Sequence, residues 1–171
     1  FPEQIEYIIN HAEDKLLFVD PGLVSLLDGI RGRIPSVQQT VVLSEDYEAF
    51  IGEHSASFDW PLLDEQSASS LCYTSGTTGD PKGVLYSHRS TVLHSYACAM
   101  PDAMNLSARD VVMPLVPMFH VNAWGLPYAC PMVGATLVLP GAFMGDGHVL
   151  TQLINDEGVS LSAGVPTVWL A

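Results

Sequence analysis

Apolar positions in the first third of the chain follow two periods in turn. Ile5, Ile8, Ile9 and Ala12 recur at helical spacing behind an early Pro2, which predicts a helix opening at Phe1-Pro2-Glu3-Gln4. Lys15 to Val19 then reads as a short buried strand, Pro21 to Ile30 as a second helix and Val37 to Leu43 as another strand. From Ser44 to Ser67 the chain turns polar and acidic, with a short helix expected at Tyr47 to Ile51. Val84-Leu85-Tyr86 predicts a strand, and Ser87 is placed to cap a helix running to Met100 with Val92, Tyr96 and Ala99 at helical spacing. Strands are expected at 111–116, 134–139 and 159–163, with a helix from Gly147 to Asn155. Such alternation is of the α/β class, with a mostly parallel sheet and flanking helices.

One stretch has the apolarity of a membrane span. Between Asp110 and Asp146 there is no Asp, Glu, Lys or Arg, and His120 is the one residue that could be positively charged. Pro114, Pro117, Pro127, Pro131 and Pro140 interrupt it, so it cannot form the roughly 20-residue helix that crossing a bilayer needs. It is better read as strand, bend, helix and strand inside a buried core. No internal repeat, low-complexity tract or linker divides the chain, which reads as one continuous globular piece.

Composition narrows the class of partner. Of 171 residues, 48% are hydrophobic and 15% charged, enough for one domain with a substantial core. Six Lys and Arg against 19 Asp and Glu give a formal charge of −13, which argues against a nucleic-acid or anionic-membrane partner. Lys82, His88 and Arg89 nevertheless lie close together in sequence and make that region locally more positive. Cys72, Cys98 and Cys130 are too far apart for a metal-ligand pair, and their odd number fits free core thiols in a reducing, cytoplasmic setting. His11, His54, His88, His94 and His148 show no ligand spacing, and no zinc site is expected.

The chemistry concentrates in Tyr73-Thr74-Ser75-Gly76-Thr77-Thr78-Gly79-Asp80-Pro81-Lys82-Gly83-Val84. Glycines allow backbone N–H groups to approach an anion, Thr74, Ser75, Thr77 and Thr78 add hydroxyl donors, and Lys82 adds a mobile counter-charge. That is the composition of a phosphate cradle, and a nucleotide tail is its natural guest. A Walker A loop would need Gly-Lys-Ser/Thr opening a helix, whereas here the lysine precedes Gly83 and a strand follows. A dinucleotide fingerprint would need Gly-x-Gly-x-x-Gly, which Gly76 and Gly79 do not supply.

This segment resembles the signature of the adenylate-forming superfamily: Ser/Thr-rich residues, then Gly-Thr-Thr-Gly-x-Pro-Lys-Gly, matched without a gap. Tyr86-Ser87-His88-Arg89, Val116-Pro117-Met118-Phe119-His120-Val121-Asn122-Ala123-Trp124 and Ala163-Gly164-Val165-Pro166-Thr167 look more narrowly like the medium- to long-chain fatty-acyl-CoA synthetase branch. The resemblance implies ATP-dependent activation of a fatty acid to an acyl-adenylate and then, with coenzyme A as co-substrate, to a thioester. It implies that Ser75, Gly76, Thr77, Thr78 and Gly79 hold the ATP phosphates, that Lys82 assists in neutralising them, and that the Thr74 hydroxyl helps ligate Mg²⁺. His120 would stand at the junction of carboxylate and adenylate, Val121 and Trp124 would wall and gate the acyl tunnel, and Gly164 would give the acyl chain close backbone approach. His120 and Trp124, four residues apart, share a face if the chain is helical from Val121 onward.

The same resemblance implies that residues 1–171 are part of the large N-terminal domain of such an enzyme. The chain opens at Phe1 without an initiator Met and stops within the apolar run Thr167-Val168-Trp169-Leu170-Ala171, which reads as a fragment cut at both ends. The family's second Mg²⁺ ligand, its ribose-binding aspartate and the C-terminal lid with its catalytic lysine have no counterpart here, so this piece alone is expected to be inactive. Ligases for short or sulfur-containing carboxylates such as methylthiopropionate, acyl-AMP ligases that load a carrier protein, and a catalytically silent nucleotide- or acyl-binding module stay open as alternatives. A homodimer and peripheral association with a membrane stay open too.

Overall fold

A computed structural model describes residues 1–74 and 79–170, with the side chain of Glu45 left aside. The described chain forms two units, one of residues 1–63 with the segment ending at Lys82, the other of residues 64–74 and 83–170.

The first unit begins with α1 (Pro2–Ala12), where proline occupies a position whose N–H would have no helical partner and Glu3 complements the helix dipole. It ends at Glu13, in the left-handed region with φ 54°. The strands β1 (Leu16–Val19) and β2 (Gln39–Val42) pair in parallel, Leu16 opposite Gln39 through to Val19 opposite Val42. Between them lies α2 (Val24–Asp28), and α3 (Glu45–Gly52) follows β2. Ile9, Leu27, Ile30 and Ile34 form the core, with Ile5, Leu17 and Val19 packed against it.

The expected burial of β1 does not hold. Leu17 and Val19 face the core, but Leu16 and Phe18 are exposed, because the other face of this two-stranded sheet has only partial cover. Phe18 meets the rings of Tyr47 and Phe50 of α3 edge-on, at 6.0 and 5.8 Å between centroids.

The second unit carries β3 (Ala68–Thr74), which pairs with β4 (Lys82–Ser87). The connection is too short for a parallel crossover, so the strands run antiparallel. The main-chain N–H of His88 donates to Ser67 O at 3.1 Å in keeping with that direction. Helix α4 (His88–Ala99) starts at a reciprocal cap: Ser87 Oγ accepts from the Ser90 N–H at 3.1 Å, and Ser90 Oγ accepts from the Ser87 N–H at 3.0 Å. Its buried side is not the one that the apolar spacing suggested. Val92 and Tyr96 are exposed, while Ser95 and Cys98 are buried, because α4 packs through small side chains on α6 (Leu126–Val133), which follows the single turn α5 (Val121–Trp124).

A three-stranded parallel sheet has β5 (Val111–Pro114) at its centre, between β6 (Thr136–Leu137) and β7 (Leu161–Ala163). Alternate residues of β5 serve opposite faces. Val112 packs with Leu126, Ala129, Cys130 and Cys98, whereas Met113 packs with Val138 and with Leu150 of α7 (Gly147–Asp156). Both faces of the central strand are therefore covered, as an α/β layer requires. Among the described residues no helix is long and apolar enough to cross a membrane.

Candidate functional site

The hairpin fixes the two ends of the hydroxyl-rich loop. Thr74 is the last residue of β3 and Lys82 the first of β4, both exposed. Ser75, Gly76, Thr77 and Thr78 lie outside the described residues. Gly79 has φ +102°, a backbone conformation natural to glycine, and an added Cβ there would meet nothing within 4 Å.

In the parallel sheet, sequence-distant candidates leave neighbouring strand ends. Pro114 of β5 pairs with Ala163 of β7, and the Leu115 N–H donates to Ala163 O at 2.7 Å. The segment to His120 follows one strand and Gly164 the other, at the carboxyl edge where open α/β sheets bind ligands. His120 is exposed and extended. At Gly164 an added Cβ would lie 3.2 Å from both Leu115 Cβ and Trp169 Nε1, and the Trp169 indole donates to Gly164 O at 3.2 Å. The Trp169 indole thus packs directly against Gly164.

Past His120 the backbone does not continue as a right-handed helix. Val121, Asn122, Ala123 and Trp124 all have positive φ, at 50°, 50°, 48° and 57°, and Gly125 follows at 76°. The result is a left-handed turn, so the premise that His120 and Trp124 share a helical face fails. A left-handed non-glycine residue costs roughly 1–2 kcal/mol, least for Asn, so four in succession cost on the order of 4–8 kcal/mol. Neighbours must offset that cost.

They do so on two sides. The Asn122 carboxamide donates through Nδ2 to Ser70 Oγ at 2.9 Å and accepts at Oδ1 from the Cys72 thiol at 3.1 Å, which ties the turn to β3. His94 Nε2 lies 3.1 Å from the Trp124 carbonyl oxygen. A carbonyl only accepts, so Nε2 carries the proton. The Cys98 thiol, one helical turn further along α4, reaches the same carbonyl at 3.8 Å and lies 3.3 Å from Nε2. Burial pushes the Cys98 thiol up, which favours its neutral form. Gly125 is needed for space as well as φ, since an added Cβ would sit 2.7 Å from His94 Nε2.

Beside this turn lies a pocket of about 240 Å³. Tyr86 of β4, Thr91 and His94 of α4, and Tyr128 of α6 form its walls, with Val121, Asn122 and Gly125 along the turn. Of the residues expected at a site, Val121 lines it directly, whereas Trp124 enters through its carbonyl bond to His94. Asn122, His94, Tyr86 and Tyr128 escaped the sequence reading. Two signals for them were present: the Asn-Ala-Trp-Gly run brackets the turn with residues that tolerate left-handed backbone, and His94 and Cys98 stand four apart on α4.

A family profile described as AMP-binding enzyme matches residues 1–171. A medium-chain-fatty-acid–CoA ligase of Ectopseudomonas oleovorans is 54% identical over 182 residues, covering 99% of this chain and 33% of that protein. A 3-methylmercaptopropionyl-CoA ligase of Ruegeria pomeroyi is 53% identical, with 99% of this chain and 34% of that protein covered. Among solved structures, a long-chain-fatty-acid–CoA ligase of Archaeoglobus fulgidus superposes with a TM-score of 0.85 at 25% identity, over 98% of this chain and 33% of that one. The chain spans about a third of the length of these relatives.

Proposed function

Because this chain belongs to the AMP-binding enzyme family, we propose that the protein containing it joins a fatty acid to coenzyme A through an acyl-adenylate, releasing pyrophosphate and then AMP. The observation that carries the reading is the convergence in the second unit. The segment ending at His120 and the start at Gly164 leave adjacent parallel strands, and Val121, the residue after His120, lines a pocket with Tyr86 and Tyr128.

In this reading the carboxylate attacks the α-phosphorus of ATP, an O–P bond forms, and the bond to pyrophosphate breaks. Positioning and charge stabilisation supply most of the catalysis of such a displacement. Ser75 to Gly79 hold the β- and γ-phosphates, and the Lys82 ammonium offsets charge that builds on the departing pyrophosphate. His120 orients the carboxylate, Val121 and Trp124 bound the acyl chain, and the Trp169 indole shields Gly164 until the chain approaches.

Among the described residues no group of three or more His, Cys, Asp or Glu side chains gathers to cage a metal. The single hydroxyl of Thr74 suits Mg²⁺ carried on ATP, which needs only one or two protein oxygens beside phosphate and water. Bound there, Mg²⁺ would neutralise phosphate charge.

A second reading, a ligase for methylthiopropionate, is favoured by the 53% identical relative. Its acid is short, and the pocket of about 240 Å³ lies below the ~300–1,000 Å³ usual for sites that enclose drug-sized ligands. Three free cysteines, all buried, fit a reducing compartment, so we place the protein in the cytoplasm, and sizing of the purified protein will test for a homodimer. Coenzyme-A-dependent AMP release by the full-length protein, compared for octanoate, palmitate and methylthiopropionate, distinguishes the substrates. Release with no acid would reject the ligase reading.

A further inference from the structure

We propose that His94 is a positioning residue that sets acyl-chain preference by holding the backbone of the Trp124 turn. The inference rests on the ligase reading above and concerns a residue outside the family signature.

Three observations converge on this side chain. Its Nε2–H donates to the Trp124 carbonyl at 3.1 Å, so it fixes the peptide that carries the gate residue rather than the indole. Its ring fills the space that only a glycine at position 125 leaves free, at a left-handed φ of 76°. The same ring is a wall of the pocket of about 240 Å³, which Val121 and Asn122 of the turn also line. A turn of four consecutive left-handed residues has no local preference to stay in place. Asn122 anchors it to β3 at one end and His94 anchors it to α4 at the other. Loss of the His94 anchor leaves the Trp124 carbonyl with only the longer 3.8 Å contact of the Cys98 thiol on the α4 side, so the Trp124 peptide is free to shift against the Asn122 clamp. Chain-length discrimination follows from where that peptide stands.

The rival role for His94 is plain space filling. His94→Gln and His94→Phe separate the two, because the glutamine amide can place an N–H where Nε2 stands, while phenylalanine keeps the ring and loses the donor. The readout is the ratio of kcat/KM for octanoate and palmitate, measured by ATP–pyrophosphate exchange with the full-length protein. The positioning role predicts that His94→Gln stays within about twofold of wild type and that His94→Phe moves the ratio by roughly tenfold, the scale of one lost hydrogen bond. His94→Asn, whose amide is too short to reach the Trp124 carbonyl, carries the same prediction as phenylalanine if His94→Phe does not fold. An unchanged ratio in both His94→Phe and His94→Asn, or a Gln variant that shifts as far as they do, overturns the positioning role while leaving the ligase reading intact. Absence of exchange by wild type with every acid removes the ligase reading, and this inference with it.

Discussion

Asn122 donates to the hydroxyl of Ser70 at 2.9 Å, across 52 positions of sequence, and so binds a left-handed turn to the strand that ends at Thr74. Asparagine suits both tasks, since it tolerates the conformation and its carboxamide can donate to Ser70 while accepting from Cys72. Asn122→Leu removes both bonds and puts a poorly tolerated side chain at φ 50°. A loss of about 2 kcal/mol is expected. Asn122→Gly, which keeps the backbone freedom, should lose less in urea denaturation, and equal losses would show that φ strain contributes nothing.

Gly125→Ala combines a left-handed φ with an added Cβ at 2.7 Å from His94 Nε2. It should destabilise by at least ~1 kcal/mol and displace the His94 ring. Gly32→Ala, where an added Cβ meets nothing within 4 Å, is the matched control. Thermal melts of the two variants should differ, with only Gly125→Ala well below wild type.

The cap of α4 makes a smaller, independent prediction. Ser87→Ala removes the acceptor for the Ser90 N–H at 3.1 Å and should cost about 1 kcal/mol. Ser87→Asp, which keeps an N-cap acceptor, should restore most of it in the same melts.

Stability should fall at high pH through Cys130. Its thiol is pushed up to about 11 by burial, with the charges of Asp110 and Cys98 adding to the effect. An unfolded chain would lose this proton near ~8.5. Between those values the folded state holds a proton that the unfolded state has released, so its contribution is full below ~8.5 and drains away as pH rises toward 11. Melting temperature measured from pH 8 to 11 should drop less steeply in Cys130→Ala than in wild type.

Much of the fold was legible because the local signals agreed with the tertiary structure. Ser87 before the α4 run, Pro2 at the head of α1 and the apolar β5 segment each point to the element that forms. Burial was less legible. The face of α4 bearing Val92 and Tyr96 looked apolar, yet Ser95 and Cys98 face α6, because helix approach there favours small residues over large ones. At the site, residue composition marked the loop ending at Lys82 and the family resemblance marked Val121, but ordinary helical backbone was assumed after His120. Four left-handed residues are unfavourable locally, and only the distant partners Ser70, Cys72 and His94 offset them. No window of neighbouring residues contains that information.

ATP–pyrophosphate exchange by the full-length protein, with and without octanoate and compared with Lys82→Ala, tests the central claim most directly. Adenylate formation predicts exchange that requires the acid and falls by about ten- to a hundredfold when Lys82 is removed, the range for one lost charged contact to phosphate. Exchange that is absent with fatty acids and methylthiopropionate alike, while ATP still binds, would contradict it and leave a nucleotide-binding module in its place.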